Sequence, residues 1–289
     1  MTAIAAEPEV HLGVTPLRAG VSEWIKLRSL RSTWWSIGVA LLISVGLGIL
    51  FSALRGSDIQ AHGGFEPDQT ALSLRGFYLA QLAVGVLGVL FVTGEYSTGM
   101  IRATLSAVPK RVPVWAAKIS IFAIVIFAIT LAAAFVAFLG GQAALSAYKF
   151  HGQVIPFKNG GISIIGRGMH SLGVSISNPG SVRAIFGAAL FMVGVGLLGL
   201  GCGFIIRNTG GAIAALFGLL LVLPLLAQAL PSSLQHHVTK LLPLLAGTAG
   251  MNTVGGTDQL SPWAGLGVFA IYVVAALGIG LYVLKRRDA

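Results

Sequence analysis

The feature that most limits how this chain can fold is a series of long, uncharged apolar runs. Six of them fall at about 35–54, 77–93, 119–144, 184–206, 212–230 and 264–284. A helix crosses a bilayer with about 20 apolar residues, so the chain is expected to be an all-α integral membrane protein with six transmembrane helices. The second run is short unless 72–76 extend it. Composition agrees: 55% of the 289 residues are hydrophobic, only 10% are charged, and 39 are glycine. A soluble domain carries about 25% charged residues.

Within these six windows there is no Asp, Glu, Lys, Arg or His, and Gln81, Gln142 and Gln228 are the most polar residues. Ion-coupled pumps and proton relays place ionisable groups at membrane depth. The windows therefore argue against an ion-coupled carrier and expect any driving energy to enter from outside the spans. With both termini on the inner side, twelve Lys and Arg fall on that side and seven on the other. The longer loops hold the smaller set, as the positive-inside rule requires. Trp24, Trp34, Trp35 and Trp115 then mark the inner interface and Trp263 the outer one. The net charge of +10 sits at span ends, which fits anionic lipid headgroups better than nucleic acid. The amino terminus, with Glu7 and Glu9, does not read as a cleaved leader. Cys202 stands alone in an apolar run, so no intrachain disulfide forms.

Residues 1–14 read as a flexible tail, 15–33 as an amphipathic helix, and 34–289 as one six-span domain. Thr15-Pro16 resembles a helix start. Leu17, Val21 and Trp24 follow at helical spacing with Arg18, Ser22, Glu23 and Lys26 opposite, the pattern of a helix in the headgroup layer. Between the fourth and fifth spans, 207–211 allow only a tight hairpin. Gly199 and Gly203 would let another helix approach closely. Pro224 is expected to kink the fifth span. After it, Leu234, Val238, Leu241, Leu242 and Leu245 form a stripe interrupted by Pro243, read as an outer-leaflet or re-entrant segment. The outer loop 145–183 shows a turn at Asn178-Pro-Gly180 and no strong periodicity.

Catalytic and cofactor chemistry finds little support. The nearest approach to a phosphate-binding loop, 161–168, has arginine and glycine where lysine and a hydroxyl residue are needed. His236-His237 lack carboxylate or cysteine companions at ligand spacing. No nucleophile, base and orienting acid come together for an enzyme, and the chain is expected to bind no cofactor or metal itself.

The remaining functional candidate is the polar interruption at 93–111. Thr98 is expected to cap a short helix. Ile101, Leu105 and Val108 share one face of it, and Pro109 ends it. Such a helix suits a groove on a soluble partner. With Ser22-Glu-Trp-Ile-Lys-Leu-Arg-Ser-Leu-Arg-Ser-Thr-Trp-Trp35 before the first span, it makes the chain resemble the permease subunits of type-two ATP-binding-cassette (ABC) exporters, especially small actinobacterial members. That resemblance covers nearly the whole chain and implies a bacterial plasma-membrane location. It implies that 94–111 is a coupling helix received by a separate ATPase that binds ATP and Mg. It also implies that 15–33 is a connecting helix, and that a second permease copy completes the path. Glu95, Gly99, Arg102, Leu105, Pro109 and Arg111 match the motif positions, and Trp24, Lys26, Arg28 and Arg31 lie in the connecting helix. On this reading Arg102 meets acidic groups of the ATPase, Leu105 fills its groove, and Glu95 pairs with Arg28 or Arg31. The long outer loop departs from the minimal family pattern. The alternative reading is a membrane scaffold or immunity protein that binds through the same cytoplasmic helix without transport.

Overall fold

The computed structural model describes residues 16–29, 31–62, 66–101, 111–151, 154–156, 162–164, 169–255 and 259–286. Six helices in it are long and apolar enough to cross a membrane. In chain order, α1 is Pro16–Ser29, α2 Arg31–His62, α3 Gln69–Ser73, α4 Phe77–Ser97 and α5 Arg111–Ser146. Next come α6, Ser181–Ile206, and α7, the span Thr209–Ala227. After these come α8, Ser232–Val238, α9, Pro243–Thr248, and α10, Pro262–Arg286. The spans are α2 from Thr33 onward, α4, α5, α6, α7 and α10. Six such helices are the pattern of a multi-pass membrane protein.

The helices run past the apolar windows read from sequence. α4 continues through Glu95, and α5 starts at Arg111, so that Lys118 lies two turns inside it. The apolar windows themselves stay free of charge, but the helices that contain them carry charged residues just beyond their ends. Glu95 and Lys118 are both buried within spanning helices, and they can be there because they neutralise one another.

α6 lies at the centre, packed most extensively against α4 and α10 and also against α5. Small residues make this approach possible. A Cβ at Gly88 of α4 would strike the carbonyl oxygen of Gly196 in α6, and one at Gly199 would strike that of Gly85. Without a hydrophobic drive between helices in lipid, such close backbone contact is what dispersion forces need. Gly199 thus does what its spacing suggests, with α4 as the partner. Phe77, Phe122, Phe138, Phe191 and Phe204 fill the interior. α2, α7 and α10 turn large aliphatic residues outward, among them Leu42, Leu225, Leu226, Ile271 and Val274. That surface belongs against lipid.

Proline acts on α7 through a π turn rather than a break. Residues Gly218–Val222 are π-helical, and the N–H of Leu223 reaches back to the Gly218 carbonyl, one residue before Pro224. The wider turn absorbs the missing proline N–H while keeping the chain helical at membrane depth. Beyond α7, α9 and the 3-10 turn that follows it pack onto α6 and α10, whereas α8 contacts chiefly the 3-10 turn after it. Of the expected stripe, Leu242 is buried, whereas Leu234, Val238, Leu241 and Leu245 face outward. The Asn178 turn forms, with the Ser181 N–H donating to the Asn178 carbonyl at 3.1 Å. The loop before it also carries two small antiparallel ladders absent from the sequence reading. β1, Lys149–His151, pairs with β4, Met169–Ser171, and β2, Val154–Pro156, pairs with β3, Ile162–Ile164.

At the end of the bundle away from α1, buried polar groups join the elements. Gln142 of α5 donates to the Gln69 carbonyl and to Ser73 Oγ, both at 2.9 Å, and accepts from the Val174 N–H at 2.8 Å. Asp68 caps α3 by accepting from the Ala71 N–H. It also takes the Thr253 N–H and hydroxyl and the Val254 N–H. One carboxylate thus ties the start of α3 to the loop after α9.

Candidate functional site

At the opposite, basal end, α1 meets the last turn of α4 and the first turns of α5. Glu23 and Lys26 are three residues apart on one face of α1. Lys118 Nζ donates to Glu23 Oε2 at 2.5 Å and to Glu95 Oε1 at 3.0 Å. Lys26 Nζ donates to Glu23 Oε1 at 2.8 Å and to the same Glu95 oxygen at 2.9 Å. Two acids and two bases alternate around this ring, so it is neutral. Glu23, Glu95 and Lys118 are buried, and Lys118 is only 1% exposed. Its ammonium also lies over the Phe91 ring, 4.3 Å from the centroid. Phe91 and Glu95 are four residues apart on α4, which places ring and carboxylate on one side of that helix. Burial by itself would lower the Lys26 pKa, but the hydrogen bonds to Glu23 and Glu95 and their charges outweigh it and leave it raised.

α1 presents different residues on its two sides. Glu23 is buried and Lys26 half-buried on its inner side, while Val21, Ser22, Trp24 and Ile25 are exposed. For a helix at a membrane surface this is the favourable sense, because its apolar residues meet lipid while its charges pair inside. Among the described residues Glu95 meets Lys26 and Lys118 and not Arg28. Arg28, two positions beyond Lys26 and about 200° round the helix, is exposed. The side chain of Arg31 lies outside the described residues.

Beyond Glu95 the chain leaves α4 through a left-handed glycine. Thr98 is the carboxyl cap of α4, and its hydroxyl donates back to the Gly94 carbonyl at 2.8 Å. Gly99 has φ +72°, a conformation that glycine adopts without a steric penalty and that commonly closes a helix. Thr98 therefore closes α4. Met100 and Ile101 then begin a new helical turn, with Ile101 buried. Arg102, Leu105 and Pro109 lie outside the described residues.

The far side of the segment is gripped as firmly. Arg111 opens α5, and its guanidinium donates to the Leu284 and Lys285 carbonyls at the end of α10. Cations are favoured at a helix carboxyl end by the backbone dipole and the unpaired carbonyls there. Arg207, in the tight hairpin before α7, has φ 59°. It stacks on Tyr96 at 5.1 Å and donates to the Val283 carbonyl at 3.3 Å. Thr209 donates to Thr93 at 2.9 Å, and Asn208 caps α7 through the Gly211 N–H. Both edges of the polar interruption are thus clamped to four other helices. Among the described residues, Glu95 Oε2, Tyr96 Oη and Trp115 Nε1 are buried without a hydrogen-bond partner. All three belong to the helices flanking the interruption.

Sequence reasoning placed Glu95, Gly99, Lys26 and Arg111 at this end but missed that Glu23 and Lys118 complete the ring. One signal was present: Lys118 is a lone cation at the head of a long apolar run, where an unpaired charge would be expensive. Among the described residues no group of His, Cys, Asp and Glu is arranged to hold a metal ion. A cavity of about 700 Å³ lies at the other end of the bundle, lined by Phe51, Glu66, Asp68, Arg75, Tyr78 and Gln259 among others. Glu66 there faces Arg55 at 3.4 Å and Arg75 at 3.7 Å.

The family model described as "ABC-2 family transporter protein" matches residues 21–169, just over half of the chain. All four members of the buried ring and the whole of the 93–111 interruption fall inside it. No curated protein matches the chain.

Proposed function

Because the chain belongs to the ABC-2 family of transporter proteins, and is thereby a membrane permease, we propose that it serves an exporter powered by a separate ABC ATPase. The observation that carries the proposal is the buried ring of Glu23, Lys26, Glu95 and Lys118. It sits directly before and after the segment to which a cytoplasmic motor would bind, and it welds α1 to the two spans that the segment joins. A push on 94–111 is then delivered to α1, α4 and α5 together rather than lost in a loose loop. Closely packed helices respond to such a push by moving as bodies.

In this reading both termini face the cytoplasm, as the basic residues favour, and the ATPase pair binds ATP and Mg. A second permease copy faces the first across the path. The substrate is apolar or amphipathic, because the spans offer no line of charged groups for a hydrated ion. The reading is tested by reconstituting the permease with its ATPase in vesicles. ATP-dependent movement of substrate is expected, together with ATPase stimulation by the permease. Arg102→Glu is expected to lower that stimulation at least tenfold while leaving membrane insertion intact. Stimulation and transport unchanged in Arg102→Glu would remove the docking role assigned to this residue. A stable complex that moves no compound tested would favour the scaffold reading.

A further inference from the structure

We propose that the lateral groove between α1, the start of α2 and α5 binds an acyl chain of an anionic phospholipid, with Arg28 holding the headgroup phosphate. The inference rests only on the chain spanning a membrane and does not require the exporter reading. The groove encloses about 450 Å³, a ligand-sized space. Its floor is Leu27 and Ile37, both buried, and its wall is the aliphatic face of α5 around Ile121, Val125 and Ala128. Ile124 of the same wall is 65% exposed, so the groove opens on the surface that lipid covers.

Its mouth is chemically different from its floor. Trp24 and Trp34 flank it, both substantially exposed, and tryptophan is the residue that favours headgroup depth. Among the described residues lining the groove, Arg28 is the one that carries charge. The Trp34 indole donates to the Arg28 backbone carbonyl at 3.0 Å, which pins this turn of α1 against α2. The nearby carboxylates cannot neutralise the guanidinium. Glu23 and Glu95 face inward, where Lys26 and Lys118 hold them. An apolar slot with an exposed, fork-shaped cation at its headgroup end matches a chain with a phosphate at its end. A neutral or zwitterionic lipid satisfies the slot but offers the guanidinium less net negative charge. That difference defines the test.

The full chain is purified in micelles holding equimolar phosphatidylglycerol and phosphatidylcholine with identical acyl chains, and the lipid retained is counted by native mass spectrometry. Phosphatidylglycerol is expected to be retained about fivefold over phosphatidylcholine, the preference that one basic residue at a membrane surface confers. Arg28→Gln, at an exposed position, should bring that ratio close to one without changing phosphatidylcholine retention. Ala128→Phe, which fills the groove from an exposed site, should reduce retention of both lipids. Arg75→Gln at the other end of the bundle should leave the ratio as it is. Equal retention of the two lipids by the native chain, an intact preference in Arg28→Gln, or unchanged retention in Ala128→Phe would each overturn the proposal. An equal loss of preference in Arg75→Gln would overturn it too, because the selectivity would then be diffuse attraction and not a site.

Discussion

An ammonium group as buried as that of Lys118 persists in a protein interior only while its neighbours supply opposite charge. Removing one partner of a buried ion pair leaves the other charged and desolvated, which costs about 3–5 kcal/mol. Lys118→Met should therefore destabilise the fold by about that amount, read as a lower midpoint of unfolding in mixed detergent. Adding Glu23→Gln should restore at least half of the loss, because Lys26 and Glu95 then remain as a matched pair. A single variant with the native midpoint would show that the ring does not hold α1 in place. At this scale the sequence offers the residue types and little of their pairing. Glu23 and Lys26 can be read as helix neighbours, but Lys118 lies 95 positions from Glu23 and 23 from Glu95. Its place at the head of a long apolar run signals that it needs a partner, but nothing local says which.

At the scale of elements, α1 is attached by its ion pairs together with buried Leu27, and the ionic part of the attachment can be tested separately from the bundle. Lys26→Ala should raise amide hydrogen exchange across α1 at least tenfold and leave α4 and α6 protected. The pH dependence follows from the sign of the Lys26 shift. Its pKa is raised in the folded state above the ordinary value of about 10.4. Its contribution is thus complete below that value and fades only as pH climbs through the raised one. Protection of α1, corrected for intrinsic exchange, should be flat from about pH 6 to 9 and fall only in strong alkali. The α4–α6 pair depends instead on the absence of side chains. Gly88→Val would force the two backbones apart, at a cost of about 1–3 kcal/mol or more, and should lower the yield of folded protein in detergent extracts. Wild-type yield and unfolding midpoint in that variant would contradict the close approach.

Over the whole molecule, the two ends are secured by independent polar clasps joined by the length of α4, about 30 Å of helix. Asp68→Ala leaves the Thr253 and Val254 donors without their carboxylate and should cost on the order of 3 kcal/mol. Exchange in α1 should be untouched. Combined with Lys118→Met, the two losses should add to within about 0.5 kcal/mol, as expected for distant sites. A clear departure from additivity would mean that the ends are coupled even without ATP.

The number of spans, their order and the place of the polar interruption were already determined by the sequence alone. Those properties depend on hydropathy along the chain, and lipid enforces them segment by segment. The tight hairpin at 207–211, the turn at Asn178 and the glycine spacing of α6 were legible for the same local reason. Only the tertiary structure decided which way each helix faces. A span that is apolar all round carries no periodic signal of its rotation, so the meeting of α4 with α6 through Gly88 and Gly196 could not be read. The inward turn of Glu23 was hidden for a related reason. At a membrane surface both faces of α1 have a favourable environment, and the choice between them is made by Lys118 and Glu95, which the chain brings in from other helices.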